Sequence, residues 1–139
     1  MNPHTPVSDI MIKNIIGLTI YDDLESAETL FKKHGIKHIP VVASGVIIGM
    51  ISYTDMMRFS QVEIANSNGE NVDSVKYSNY TVEQVMAKDV EVITSETTIK
   101  EATGILSKRE FHALPVVDDG ELVGIITTRD LLNYFLKQF

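Results

Sequence analysis

Cysteine is absent from the 139 residues. Disulfides, thiolate metal sites and a cysteine nucleophile are therefore excluded at once. Nor does any apolar run approach the ~20 residues that span a bilayer, so no membrane span is expected. The opening residues MNPHTPVSDIM carry neither a basic stretch nor an apolar one. No signal peptide is expected from them, and a cytoplasmic location fits. Basic residues are scarce too: 12 Lys and Arg stand against 19 Asp and Glu, a net charge of −7. That balance argues against a nucleic-acid partner, because sequence-independent binding needs basic side chains that release phosphate counterions. It leaves room for a small anion held by a few local cations. A hydrophobic content of 44% is that of an ordinary globular chain, of a length that suits one domain or two fused halves.

What the chain does have is a repeat. Residues 34–60, HGIKHIPVVASGVIIGMISYTDMMRFS, return as residues 109–135, REFHALPVVDDGELVGIITTRDLLNYF. The register holds at an offset of 75 from Val7/Val82 to Ser60/Phe135. Identities include Met11/Met86, Pro40/Pro115, Gly49/Gly124 and Asp55/Asp130. One such unit is too small to bury much core, whereas two related units can pack together and leave a ligand cleft at their seam. The repeats are read as residues 1–60 and 81–139, joined by a linker over 61–80. That linker is polar and rich in Asn and Ser. It reads as a flexible crossover, with a helical extension of the preceding helix or a mobile flap as the other readings.

Each repeat presents its elements in one order. Val7–Met11 and Val82–Met86 read as short helical turns, the second capped by Thr81. Ile15–Ile20 and Val90–Thr94 are β-branched and predict strands. Leu24, Ala27, Leu30 and Phe31 fall on one helical face, as do Ile99, Ala102, Ile105 and Leu106. Asp22 and Asp23 suit the first helix start and Gly35 its end, where the second copy has Glu110 and must close differently. Ile39–Val42 and Val46–Ile51 flank a glycine-containing turn, as do Leu114–Val117 and Leu122–Ile126, so each pair predicts a hairpin. Pro40 and Pro115 are expected at strand beginnings. Final helices begin near Asp55 and Asp130. The fold expected is α/β (α+β), two β-α-β-β-α units.

The sharpest motif joins the hairpin to the last helix: Gly49-Met50-Ile51-Ser52-Tyr53-Thr54-Asp55 and Gly124-Ile125-Ile126-Thr127-Thr128-Arg129-Asp130. Ser52 and Thr127 are good N-caps, and an acid three residues on resembles a capping box. The same turn also offers free backbone N–H groups that favour phosphate, and a carboxylate that can accept hydrogen bonds from a ribose diol. The two readings are compatible.

With HIPVV and HALPVV before the hairpins and GMISYTD and GIITTRD after them, the chain resembles a tandem pair of CBS domains, the Bateman module, from about Val7 to about Leu136. The resemblance implies two CBS repeats packed pseudo-twofold through their sheets. It also implies a regulatory module that binds an adenosine-containing ligand (AMP, ADP, ATP, NAD or S-adenosylmethionine class) between the repeats. Asp55 and Asp130 correspond to the ribose-binding aspartate, Ser52 and Thr127 to its hydroxyl partner. Thr54 and Arg129 stand where side chains approach phosphate, as do Lys37-His38 and His112-Ala113. The Asp130 site would take its adenine wall from Met11, Ile16 and Ile36; the Asp55 site from Met86, Glu91 and Phe111. Glu91 would be an unpaired buried acid there, which is costly, so the Asp130 site is favoured for the nucleotide. No cofactor is required; the adenosyl nucleotide is a regulatory ligand.

His4, His34, His38 and His112 lack metal-ligand spacing, and no nucleophile elbow or Walker or Rossmann glycine pattern occurs. No enzyme and no metal are expected. Met56, Met57 and Phe59, with Leu131, Leu132 and Phe135, give the terminal helices more apolar face than one small domain needs. A homodimer through those helices is expected, with a regulated protein partner of unknown identity. The reading from a different class is a non-catalytic protein-interaction or dimerisation module with empty clefts.

Overall fold

The computed structural model of the chain describes residues 2–66 and 80–139, with side chains placed at 2–59 and 80–139. After a 3-10 turn at Val7–Asp9 come α1 (Leu24–His34), β1 (His38–Ala43), β2 (Val46–Ser52) and α2 (Tyr53–Asn66). Then follow α3 (Val82–Val85), α4 (Ile99–Ser107), β3 (Ala113–Asp118), β4 (Glu121–Thr127) and α5 (Thr128–Leu136). Helix α2 thus carries the extension that was one reading of the linker; the linker's 67–79 lies outside the described residues.

Local chemistry accounts for the element ends. Asp23 caps α1 by accepting from the Ser26 N–H at 2.7 Å. That bond holds its carboxyl below the ordinary value of 3.8. Helix α1 closes on Gly35 with φ 62°. Thr98 and Glu101 form a capping box at the start of α4, which satisfies two otherwise orphaned N–H groups. With Glu110 in the place of the terminating Gly35, α4 stops at Ser107, where the Lys108 N–H folds back onto the Ile105 and Leu106 carbonyls. Both hairpins turn on two residues of positive φ, Ser44 (51°) with Gly45 (82°) and Asp119 (50°) with Gly120 (82°). Paired positive φ values match the twist of the strands they join.

The expected first strands contract to single parallel bridges, Leu18 to Val41 and Ile93 to Val116. Turns cut them short. Asp22 accepts from the Thr19 N–H at 2.7 Å, and Thr97 Oγ1 accepts from the Thr94 N–H at 3.1 Å. The prolines also sit deeper than expected, as the third residue of β1 and of β3. Pro40 faces Met50, whose N–H and C=O are both bonded to Ala87 at 3.0 and 2.9 Å. Met50 therefore asks nothing of the proline's missing N–H. Pro115 opposite Ile125 repeats this, with Ile12 in the place of Ala87.

The chain forms two compact units, Ile16–Asp89 and Met1–Ile15 with Val90–Phe139. They run across the repeat boundaries. Each repeat's opening segment is built into the unit of the other repeat. Val82, Val85 and Met86 belong to the core of the first unit with Leu18, Leu24, Phe31, Ile39, Val41, Ile51 and Met56. Val7 belongs to the core of the second with Ile93, Ile99, Leu106, Leu114, Val116, Ile126 and Leu131. The glycines at the hairpin bulges make this possible. A Cβ on Gly49 would collide with Met86 Sδ, lie 2.9 Å from Met86 Cγ and 3.0 Å from the Ala87 carbonyl. On Gly124 it would lie 2.5 Å from Met11 Sδ.

The apolar face expected of the terminal helices is mostly consumed inside their own units. Met56 and Leu131 are buried, and Met57, Phe59 and Phe135 pack against the cores. Leu132 and Leu136 remain exposed, at 57% and 69%. Among the described residues no helix is long and apolar enough to cross a membrane.

Candidate functional site

The motif turn is built alike in both units and finished differently. In the second unit β4 ends at Thr127 in extended conformation and α5 begins at once. Thr127 Oγ1 accepts from the Asp130 N–H at 3.1 Å, and Asp130 Oδ2 accepts from the Thr127 N–H at 2.9 Å. This reciprocal cap fixes the carboxylate at the first turn of the helix. The Thr128 N–H donates to the His112 carbonyl at 2.9 Å, and its hydroxyl donates to the same oxygen at 3.4 Å. The residue before β3 is thereby pinned to the start of α5. His112 and Arg129 are exposed, Ala113 is buried, and Met11 is half-buried against Gly124.

In the first unit the Asp55 N–H donates to Ser52 Oγ at 3.0 Å, while Asp55 Oδ1 lies 3.3 Å from Arg58 Nη1. The Tyr53 N–H donates to the Lys37 carbonyl at 2.9 Å, the counterpart of the bond from Thr128. Here an aromatic ring follows the hydroxyl residue. Lys37 Nζ stands over it, 4.4 Å from the centroid. The ring itself is braced edge-on against Phe31, centroids 5.5 Å apart. Thr54 is exposed, His38 half-buried, and Met86 buried against Gly49.

The residues expected at the sites distribute as follows. Met11, His112, Ala113, Thr127, Arg129 and Asp130 share the second unit; Lys37, His38, Ser52, Thr54, Asp55 and Met86 share the first. Ile16 and Ile36 fall in the first unit, with Ile36 packed against its core. Glu91 and Phe111 fall in the second. Glu91 is not the unpaired buried acid expected. It is 33% exposed and accepts from Arg109 Nε at 3.2 Å. The early stop of α4 leaves Arg109 beyond the helix end, where it meets Glu91. Sequence reasoning also missed Tyr53 and Arg58. The sequence marks Tyr53 only as an aromatic residue where the second repeat has Thr128. Among the described residues no group of three or more His, Asp or Glu is placed to hold a metal.

Known proteins share this architecture. The model of the CBS domain matches residues 7–61 and 82–137. The uncharacterized protein MJ1225 of Methanocaldococcus jannaschii is 27% identical over 130 residues, covering 93% of this chain and 46% of its own. Its crystal structure superposes with a TM-score of 0.83 at 26% identity, over 97% of this chain and 49% of that one. The CBS domain pair of protein MJ0100, solved in complex with 5′-methylthioadenosine and S-adenosyl-L-methionine, gives 0.77 at 26% identity, over 94% and 99%. CBSX2, solved in complex with AMP, gives 0.78 over 96% and 98%, and at 22% identity it speaks for the fold alone. The chain spans less than half the length of the first curated relatives it matches.

Proposed function

Because the chain belongs to the CBS domain family, we propose that it is a regulatory module that senses an adenosine-containing ligand. The AMP, ADP, ATP, NAD and S-adenosylmethionine class is meant, and the module regulates rather than catalyses. The observation that carries this reading is the twice-built turn of Ser52–Asp55 and Thr127–Asp130. Each presents a carboxylate, a hydroxyl and the start of a helix on one turn. A ribose diol needs the carboxylate, and a phosphate or polar 5′ group is favoured near a helix start. Asp130 caps through Oδ2 alone, so Oδ1 can accept a ribose hydroxyl while the cap stays closed. The methylthioadenosine and S-adenosylmethionine held by the MJ0100 pair support the adenosyl class. Ligand binding shifts the population of a partner-competent state by its differential affinity for the two states.

A homodimer in the cytoplasm completes the proposal. Leu132 and Leu136, one turn apart and exposed on α5, support that helix as the contact.

The test is thermal unfolding with AMP, ADP, ATP, NADH, 5′-methylthioadenosine and S-adenosylmethionine. A ligand at about 100 times its Kd adds roughly 2.7 kcal/mol. At least one should raise Tm, and for 5′-methylthioadenosine and S-adenosylmethionine, which carry no phosphate, Asp130→Ala should remove more of that rise than Asp55→Ala. Asp130→Asn retains an oxygen for the Thr127 N–H, so its ligand-free Tm should stay near that of the parent while the ligand response falls. If no member of the panel moves Tm, the sensor reading fails and the protein-interaction reading takes its place.

A further inference from the structure

The two turns differ in how they hold positive charge, and Tyr53 is the residue that makes the difference. We infer that Tyr53 is a positioning residue for Lys37, and that this makes the Ser52–Asp55 turn the one that prefers a phosphorylated ligand. The inference rests on the adenosyl-sensing reading above and assigns the phosphate preference within it.

Lys37 is held twice. Its carbonyl accepts from the Tyr53 N–H at 2.9 Å, which ties its backbone to the start of α2. Its ammonium lies over the Tyr53 ring at 4.4 Å, within the range where a ring face attracts a cation. The ring cannot turn away freely, because Phe31, a buried core residue, meets it edge-on at 5.5 Å. A lysine on a four-carbon stem ordinarily loses much rotamer freedom when it grips an anion. Here part of that ordering precedes the ligand, which raises affinity without a new contact. The ring uses only one face of the ammonium's surroundings, and the side chain is exposed, so its donors remain open to a phosphate oxygen.

Asp55 is prepared in the same sense. Arg58 stands 3.3 Å from its Oδ1 and offsets the repulsion that a carboxylate exerts on an approaching phosphate. At the offset of 75 the second turn has none of these parts. His112 replaces Lys37, Thr128 replaces Tyr53 and Asn133 replaces Arg58. Thr128 holds the His112 backbone by two bonds but offers no ring to its side chain. The cation peculiar to that turn is Arg129, exposed and preceded by no aromatic brace. It is the rival, and the experiment includes it.

The full chain is titrated calorimetrically with AMP and with 5′-methylthioadenosine, which carries no phosphate. Lys37→Ala should weaken AMP by about tenfold or more, the scale of a charge-assisted hydrogen bond, and leave 5′-methylthioadenosine unchanged. Tyr53→Leu should weaken AMP by about threefold, Tyr53→Phe should restore it, and Tyr53→Leu should add nothing in the Lys37→Ala background. A merely structural tyrosine would weaken both ligands alike and would still matter without Lys37. The inference is overturned if Arg129→Ala, and not Lys37→Ala, lowers the AMP preference, or if Tyr53→Phe and Tyr53→Leu behave alike. Binding of neither ligand by the unmodified chain would also overturn the inference, whereas the adenosyl reading itself falls only if no member of the thermal-unfolding panel raises Tm.

Discussion

Ile12 and Ile125 exchange two backbone hydrogen bonds, at 2.9 and 3.0 Å, although one opens the first repeat and the other closes the second hairpin. Ala87 and Met50 do the same in the other unit, at 2.9 and 3.0 Å. Each two-stranded sheet thereby has its outer edge occupied by a segment of the other repeat, and an occupied edge is not open to stray pairing.

The valines that anchor those segments should behave as core residues of the unit they enter. Val7 and Val82 are fully buried. Val7→Ala and Val82→Ala are each expected to cost about 2–3 kcal/mol, from the lost methyl burial and the cavity left behind. Urea unfolding measures this. A change within about 0.5 kcal/mol, the usual range for surface positions, would mean that the segments are only loosely seated.

Alanine at the two bulge glycines should be unequal. At Gly124 the atoms in the way all belong to the Met11 side chain, which can swing aside. At Gly49 the Ala87 carbonyl lies 3.0 Å from the new Cβ as well, and that backbone is held by the Met50 ladder. Gly49→Ala should cost about 1–3 kcal/mol, and Gly124→Ala less. Met86→Ala should recover only part of the Gly49→Ala loss, because the carbonyl stays. Equal denaturation midpoints for the two glycine variants would contradict the backbone account.

Acid sensitivity should trace to two turn carboxylates. Hydrogen bonds from Ser95 hold the Asp118 carboxyl below its ordinary 3.8, as the bonds from Ser26 do for Asp23. A carboxyl depressed in the folded state stabilises above its unfolded value, and that stability is lost as pH falls through the folded one. Unfolding followed downward from about pH 5 should therefore show a stability loss that Asp118→Asn and Asp23→Asn each make shallower. Slopes that match the parent's below the ordinary value of 3.8 would show that these bonds do not survive in solution.

Much of this was legible from residue order. Hairpins, helix faces, an aspartate cap from the Asp22-Asp23 pair, the Gly35 stop and the serine and threonine caps of the motif turns all rest on chemistry between residues a few positions apart. The exchange of opening segments was legible only through the family resemblance, which set Met11 with Asp130 and Met86 with Asp55; the residues alone do not show it, and the reason is the repeat itself. Met11 and Met86 are the same residue type, as are Gly49 and Gly124, so pairing each methionine with the glycine of its own repeat would look chemically identical. Local patterning cannot choose between degenerate partners. The missing first strands have a different cause. Their β-branched residues are present, but Asp22 and Thr97 turn the backbone after one bonded residue. The ion pair of Glu91 with Arg109 and the stacking of Lys37 on Tyr53 join positions 18 and 16 apart, beyond any helical or strand period. Opposite charge alone does not single out such pairs.

The exchanged segments also make the peptide connection between the repeats dispensable in principle. A chain cut there leaves one fragment with β1 and β2 but without Val82 and Ala87, and another with β3 and β4 but without Val7 and Ile12. Each fragment carries the pieces the other lacks. Neither can close its own core, and the two together hold every part of both, so complementation in trans is written into the order of the segments along the chain.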